Sequence, residues 1–208
     1  VMATWDRRAL IVDRQTGKTL HELPQRGQYV HCADWSPLGQ LIATGGSDRD
    51  GFIRLWDANS GRELLKANGH SDAVIGLRFS PDGRWLISTS YDNTARLWRI
   101  SGTAQAPQMI TVAILDQHSW WVWGGAFSPG FDPENPSVIS RIVTVSQDGK
   151  AIVWRITASQ ESSQPSGTTG DQPVVAKPEA VFSGHGSPVY SVDISSQTGA
   201  IVTAGYDS

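Results

Sequence analysis

The sequence predicts an all-β fold assembled from repeated four-stranded antiparallel units. Three observations predict it. A motif of aspartate, a few polar or β-forming residues, an apolar pair and tryptophan recurs at Asp92–Trp98 and Asp148–Trp154, and Asp50–Trp56 has the same spacing. A second signature lies upstream, at Gly69-His70, Gln117-His118 and Gly184-His185, with Gln25-Arg26 in the equivalent slot. Between the signatures come short β-branched runs such as Leu41–Thr44 and Ile142–Thr144, broken by Pro-Asp-Gly, Asp-Gly or Asn-Ser-Gly clusters that suit hairpin turns, and no segment carries a long helical period.

The units follow one another along the chain. Residues 1–20 hold a partial unit in which Asp6–Val12 repeats the motif with valine in the tryptophan place. Residues 21–65 and 66–108 hold one complete unit each, residues 109–183 a third enlarged by insertions, and residues 184–208 the start of another. Counting from the histidine or arginine settles the register. The fourth residue on is always valine (Val30, Val74, Val122, Val189), and the ninth is large and apolar (Trp35, Phe79, Phe127, Ile194). Tryptophan recurs after 42 residues from Trp56 to Trp98 but after 56 from Trp98 to Trp154, so extra residues are expected in loops. Residues 101–107 and Gly130–Pro136 are short examples. Thr157–Pro178, rich in Ser, Gln, Gly, Pro and Thr, reads as a mobile surface loop. Four short strands per unit make a twisted sheet that buries both faces only by stacking on its neighbours, which is the construction of a β-propeller blade.

These residues resemble the WD-repeat β-propeller family, whose Trp-Asp pair stands literally at Trp56-Asp57 and is replaced by Val12-Asp13, Trp98-Arg99 and Trp154-Arg155 in the other copies. The resemblance covers nearly the whole chain. It implies a β-propeller of four-stranded antiparallel blades, and with three complete blades the expectation is a fragment of a larger ring of about seven. It also implies a hydrogen-bonded brace inside each blade, from His70, Ser88, Asp92 and Trp98, from His118, Thr144, Asp148 and Trp154, and in part from His185, Thr203 and Asp207. A buried indole N–H, hydroxyl, imidazole and carboxylate can satisfy one another. In the Gln25-Arg26 repeat this brace is expected to be absent or altered. Histidine, hydroxyl and carboxylate are also the ingredients of nucleophilic catalysis, but an enzyme needs one site and these residues recur in each unit. No catalytic residue is assigned.

Strand alternation puts residues three and five after the histidine slot opposite the invariant valine. The resemblance implies that these positions line the top face: Tyr29 and His31, Ala73 and Ile75, Trp121 and Trp123, Pro188 and Tyr190. The residue before the structural aspartate, which is Tyr91, Gln147 or Tyr206, reaches the same face. Because Trp and Tyr are frequent interface anchors, Tyr29, His31, Tyr91, Trp121, Trp123, Tyr190 and Tyr206 are the candidate partner-binding residues, with Ser119–Trp123 the densest cluster.

Composition argues against other classes. The net charge is −3 with both signs interspersed, and without a Lys/Arg cluster nucleic acid is a disfavoured partner. The single cysteine, Cys32, cannot form an internal disulfide and reads as a small packed residue. No apolar run approaches the roughly 20 residues needed to span a bilayer, so no membrane insertion is expected and a cytoplasmic location is the expectation. Asp48-Arg49-Asp50-Gly51 begins like a calcium loop but lacks the glutamate of an EF-hand, and histidines spread one per repeat form no zinc cluster. No metal, cofactor or small-molecule site is expected. The function predicted is a non-catalytic scaffold that binds other proteins or peptides through an aromatic-rich top face, with further blades or domains of the same chain as additional neighbours. The competing readings are a regulatory or substrate-recruiting segment of a multidomain protein such as a protein kinase, and a structural subunit of a large assembly that docks through blade edges and insertions.

Overall fold

The computed structural model describes residues 1–4, 7–25, 29–46, 51–159 and 174–207. Among these residues every regular element is a strand. Met2–Thr4 (β1), Arg8–Val12 (β2) and Thr19–Pro24 (β3) form a three-stranded sheet. Val30–Trp35 (β4), Leu41–Gly46 (β5), Ile53–Asp57 (β6) and Glu63–Ala67 (β7) form the first four-stranded one. The next holds Val74–Phe79 (β8), Trp85–Ser90 (β9), Ala95–Thr103 (β10) and Ala106–Leu115 (β11). Val122–Phe127 (β12), Ser140–Ser146 (β13), Ala151–Ala158 (β14) and Val174–Phe182 (β15) form the last full sheet, and Val189–Ile194 (β16) pairs with Ile201–Gly205 (β17). All pairings are antiparallel and sequential.

The sheets stack face to face in chain order, because each is apolar on both sides. Strand β9 shows how period-two alternation divides the core: Leu86 packs toward β5 and β6 with Ala43, Leu55 and Trp98, while Trp85 and Ile87 pack toward β13 and β14 with Ile142 and Trp154. Strand β13 does the same, sending Ile142 one way and Val143 the other. The leading strands β4, β8, β12 and β16 adjoin in that order. This is a β-propeller arrangement of four-stranded antiparallel blades. Among the described residues the series does not close on itself, which fits an arc of a larger ring.

The Trp-Asp letters have a local meaning. Asp57 Oδ1 accepts the Ser60 N–H (2.7 Å), the Ser60 hydroxyl (2.7 Å) and the Asn59 N–H (3.1 Å), closing a turn that ends at Gly61 with φ of 68°. Asp13 makes the same bonds to Thr16 and Gln15. Where arginine replaces this aspartate, at Arg99 and Arg155, the strands run on instead, to nine residues in β10 and eight in β14.

That extension corrects two expectations. Residues 101–107 are not a loop but the end of a hairpin, Ser101–Thr103 pairing with Ala106–Gln108 across the two-residue tip Ala104-Gln105. The stretch 157–178 is strand at both ends, with Thr157 opposite Val175 and Ala158 opposite Val174; its centre, 160–173, lies outside the described residues. β-Branched side chains carry the pairing onward. Pro178 is tolerated because β15 is the outermost strand and Pro178 sits where the register shifts. The Gly130–Pro136 insertion is a loop, but its Phe131 is buried against Phe127 (ring centroids 4.7 Å) and Trp85 (6.0 Å), and its Glu134 reaches Arg99 (2.7 Å) and Arg84 (3.1 Å). It straps one blade to the next. Asp6, Arg26 and Asp48–Asp50 fall outside the described residues.

Candidate functional site

Each full blade contains a polar brace in an apolar interior. In the β8–β11 blade the buried indole of Trp98 donates Nε1–H to Ser88 Oγ (2.8 Å), Ser88 Oγ lies 2.6 Å from His70 Nε2, and His70 Nδ1 lies 2.8 Å from Asp92 Oδ2. The next blade repeats it: Trp154 to Thr144 (2.9 Å), Thr144 to His118 Nε2 (2.8 Å), His118 Nδ1 to Asp148 (3.0 Å). His185 bridges Thr203 (2.7 Å) and Asp207 (2.8 Å) in the two-stranded sheet. These partners assign one tautomer, with Nδ1–H given to the carboxylate and Nε2 accepting the hydroxyl proton. Asp92 also accepts the backbone N–H of Ser71 and of Thr94, both at 3.0 Å, so one carboxylate ties the loop entering the blade to the turn between its second and third strands.

The brace in the β4–β7 blade is altered. Gln25 supplies the group that meets Thr44: its Nε2–H donates to Thr44 Oγ1, which also accepts Trp56 Nε1–H at 2.8 Å, while Arg54 donates to Gln25 Oε1 at 2.6 Å. An amide with both donor and acceptor replaces the imidazole, and the Arg54 guanidinium satisfies its far oxygen.

The braces hold the loops that carry the aromatic candidates. The residue before each structural aspartate bonds back to the third residue after the histidine: Tyr91 N–H to Ala73 O (3.1 Å), Gln147 N–H to Trp121 O (2.9 Å), Tyr206 N–H to Pro188 O (3.0 Å). Position five is a β-bulge. In all four leading strands the register slips by one residue after the invariant valine, so the ladder skips over His31, Ile75, Trp123 and Tyr190. Simple alternation is therefore not what aims these side chains; the bulge turns them outward.

The rings meet in one row across four blades. His31 lies 6.3 Å from Tyr91, Tyr91 4.6 Å from Trp121 and 5.7 Å from Trp123, Trp121 6.0 Å from Trp123, and Trp123 5.3 Å from Tyr190. Trp121 keeps 38% of its surface exposed and Trp120, which touches it at 6.4 Å, keeps 53%. Trp120 thus extends the row although the register does not single it out. Trp123 is steadied by donating Nε1–H to Gln147 Oε1 at 2.9 Å. Tyr29 is exposed at the His31 end; Tyr206 is 79% exposed and, among the described residues, makes no ring contact with the row.

A sequence model of the WD domain, G-beta repeat (WD40), matches residues 17–57, 61–99 and 176–208, just over half of the chain. The chain belongs to the WD40 repeat family. Among curated WD40-matching relatives, Jouberin of Mus musculus is 29% identical over 161 residues, 76% of this chain and 14% of its own length. Protein tipD of Dictyostelium discoideum is 36% identical over 69 residues, 33% of this chain and 11% of its own. Nuclear distribution protein PAC1 of Arthroderma benhamiae is 48% identical over 63 residues, 30% and 13%. The chain thus spans a small part of the length of these relatives. The family match omits most of the β12–β15 blade, yet that blade carries a complete WD40-type brace; its insertions obscure the spacing without disturbing the contacts.

Electrostatics follow from burial. His70 and His118 are held below the usual histidine value of 6.5 chiefly by desolvation, which outweighs the neighbouring carboxylate. Desolvation pushes Asp92 and Asp148 upward, but the hydrogen bonds they accept win and leave both below the usual 3.8. Burial pushes the Cys32 thiol well above its ordinary range, so it packs as an inert side chain. No helix of the described residues is long and apolar enough to cross a membrane, and these residues contain no cluster of three metal-ligating side chains.

Asp92→Ala leaves His70 and the Ser71 N–H without their acceptor, and urea unfolding is expected to record a loss of about 1–3 kcal/mol. The buried histidines also predict pH dependence. Folded His70 and His118 resist a proton that the unfolded chain takes up below about pH 6.5, so stability is fully present above that value and declines as pH falls through the depressed folded values. Calorimetry between about pH 7.5 and about pH 5 should show a falling melting temperature, with a shallower fall in a His70→Gln/His118→Gln chain.

Proposed function

We propose that this WD40 chain is a non-catalytic scaffold for protein–protein interaction, and that the aromatic row is its docking face. WD40 repeats generally serve as protein-interaction scaffolds. The observation that carries the finer reading is the row itself: Tyr91, Trp121, Trp123 and Tyr190 come from three blades, form one connected surface and remain partly exposed. Side chains needed only for the core lie elsewhere, between the sheets. Rigid aromatic anchors with few rotatable bonds suit partner binding.

A hydrolytic reading of the braces is disfavoured by their surroundings. Ser88 and Thr144 are wholly buried, and each hydroxyl is occupied on one side by an indole N–H and on the other by an imidazole. A substrate carbonyl would have to displace the blade core to reach them. A second docking mode, through outer strands as in an assembly subunit, draws on the exposed Ile110 and Ile114 of β11 and Val181 and Phe182 of β15. Capture from native lysate compares the two. A folded Trp121→Ala/Trp123→Ala chain is expected to lose a specific set of proteins that an Ile110→Ser/Ile114→Ser chain retains; the reverse pattern would move the docking face to the outer strands.

A further inference from the structure

We propose that the aromatic row is a seat for a proline-rich segment in the polyproline II conformation, an inference that rests on the docking reading above and names its partner. The contact distances exclude an enclosing cage. Ring centroids 4.6 to 6.0 Å apart, with interplanar angles of 85° and 89° at Trp123, describe rings that fill the space between one another. No slot is left in which a cationic head group could be surrounded. What the row offers is a continuous apolar floor. Its steps of 6.3, 5.7 and 5.3 Å from His31 to Tyr190 carry it over one to two turns of a polyproline II helix, each ~9 Å long.

The polar groups on the floor point to the same ligand. Trp123 spends its N–H on Gln147, and Trp56, Trp98 and Trp154 spend theirs on buried hydroxyls. Among the described residues the indole N–H groups of Trp120 and Trp121 are given to no protein acceptor, and unlike Trp85, whose N–H is also unmatched but buried, these two rings are exposed beside each other. Both rings are solvent-exposed, so a docked ligand can offer these N–H groups an acceptor in place of water. A polyproline II segment has no internal hydrogen bonds and presents every carbonyl outward, together with flat pyrrolidine faces that stack on aromatic rings, and its fixed backbone loses little entropy on docking. The row itself contains no carboxylate. Charges of both signs lie at its margin: Asp72, near enough to Tyr91 to raise the phenol's pKa after desolvation has done so, and Arg78, which lines the same hollow as Trp123 and Tyr190.

The test uses the full chain and three synthetic decapeptides: oligoproline, a Gly-Ser repeat and an arginine-rich sequence. Oligoproline is expected to produce saturable shifts of the Trp120 and Trp121 Nε1–H resonances, with those of Trp56, Trp98 and Trp154 unmoved and no saturation by the Gly-Ser peptide. Trp121→Ala is expected to weaken binding at least about tenfold; because the resonance map comes from the unsubstituted chain, the proposal stays testable even where that variant folds poorly. Absence of saturable shifts at millimolar oligoproline, saturation confined to other residues, or tighter binding of the arginine-rich peptide to these rings would overturn it. If oligoproline fails while lysate capture still depends on Trp121 and Trp123, the docking face stands and its ligand has other chemistry. If both fail, both readings fall.

Discussion

Three indole N–H groups buried between the sheets are each given to a hydroxyl, and much else in this chain follows from how they are. The equally buried Trp85, by contrast, packs its ring on Phe131 and Arg99 without an acceptor for its N–H among the described residues. Trp56, Trp98 and Trp154 each face the preceding blade, where their rings supply core volume, and each reaches a hydroxyl on the adjacent strand of its own sheet. That hydroxyl then needs a partner of its own, which is an imidazole in two blades and the Gln25 amide in the third. Leaving one member unpaired at these depths typically costs about 1–3 kcal/mol, so the loss of any one is felt by the others.

The chain of partners runs from the core to the surface. Through Asp92 and Asp148 it reaches the loops entering the blades, and through the backbone bonds of Tyr91 and Gln147 it fixes the segments carrying Ala73 and Trp121. The β-bulge after the invariant valine adds the second element, turning Trp123 and Tyr190 out of the ladder. Gly76 shows how tightly this is built, since a Cβ there would run into Thr89 Oγ1 and come within 3.0 Å of the Trp123 carbonyl. Rigidity beneath and aromatic rings above are the combination a docking surface needs, because little order has to be created on binding.

The repeat was legible in the sequence because the brace residues keep fixed offsets where no insertion intervenes: eighteen positions separate His70 from Ser88 and His185 from Thr203, against 26 from His118 to Thr144, and the valine and tryptophan positions hold the register between. Stacked all-β blades and the aromatic positions followed from that register. Less was legible where geometry depends on a partner strand. A bulge leaves no mark in one strand read alone, so position five could be placed but its aim could not be derived. Gln25 lies one residue from the slot that alignment indicates, and only the fold shows that a longer amide bridges the difference. Phe131 and the paired ends of 157–178 are in insertions, where periodicity is lost and burial is decided by whichever neighbouring blade lies close.

The central claim is that the buried braces position the aromatic face, and amide hydrogen exchange tests it most directly. In an Asp148→Ala chain, loss of the bonds to His118 and Ser119 N–H is predicted to accelerate exchange at Ser119–Trp123 and Gln147, with the β4–β7 blade unaffected. Unchanged protection at Ser119–Trp123 would contradict the account, since the aromatic segment would then be held independently of the brace below it.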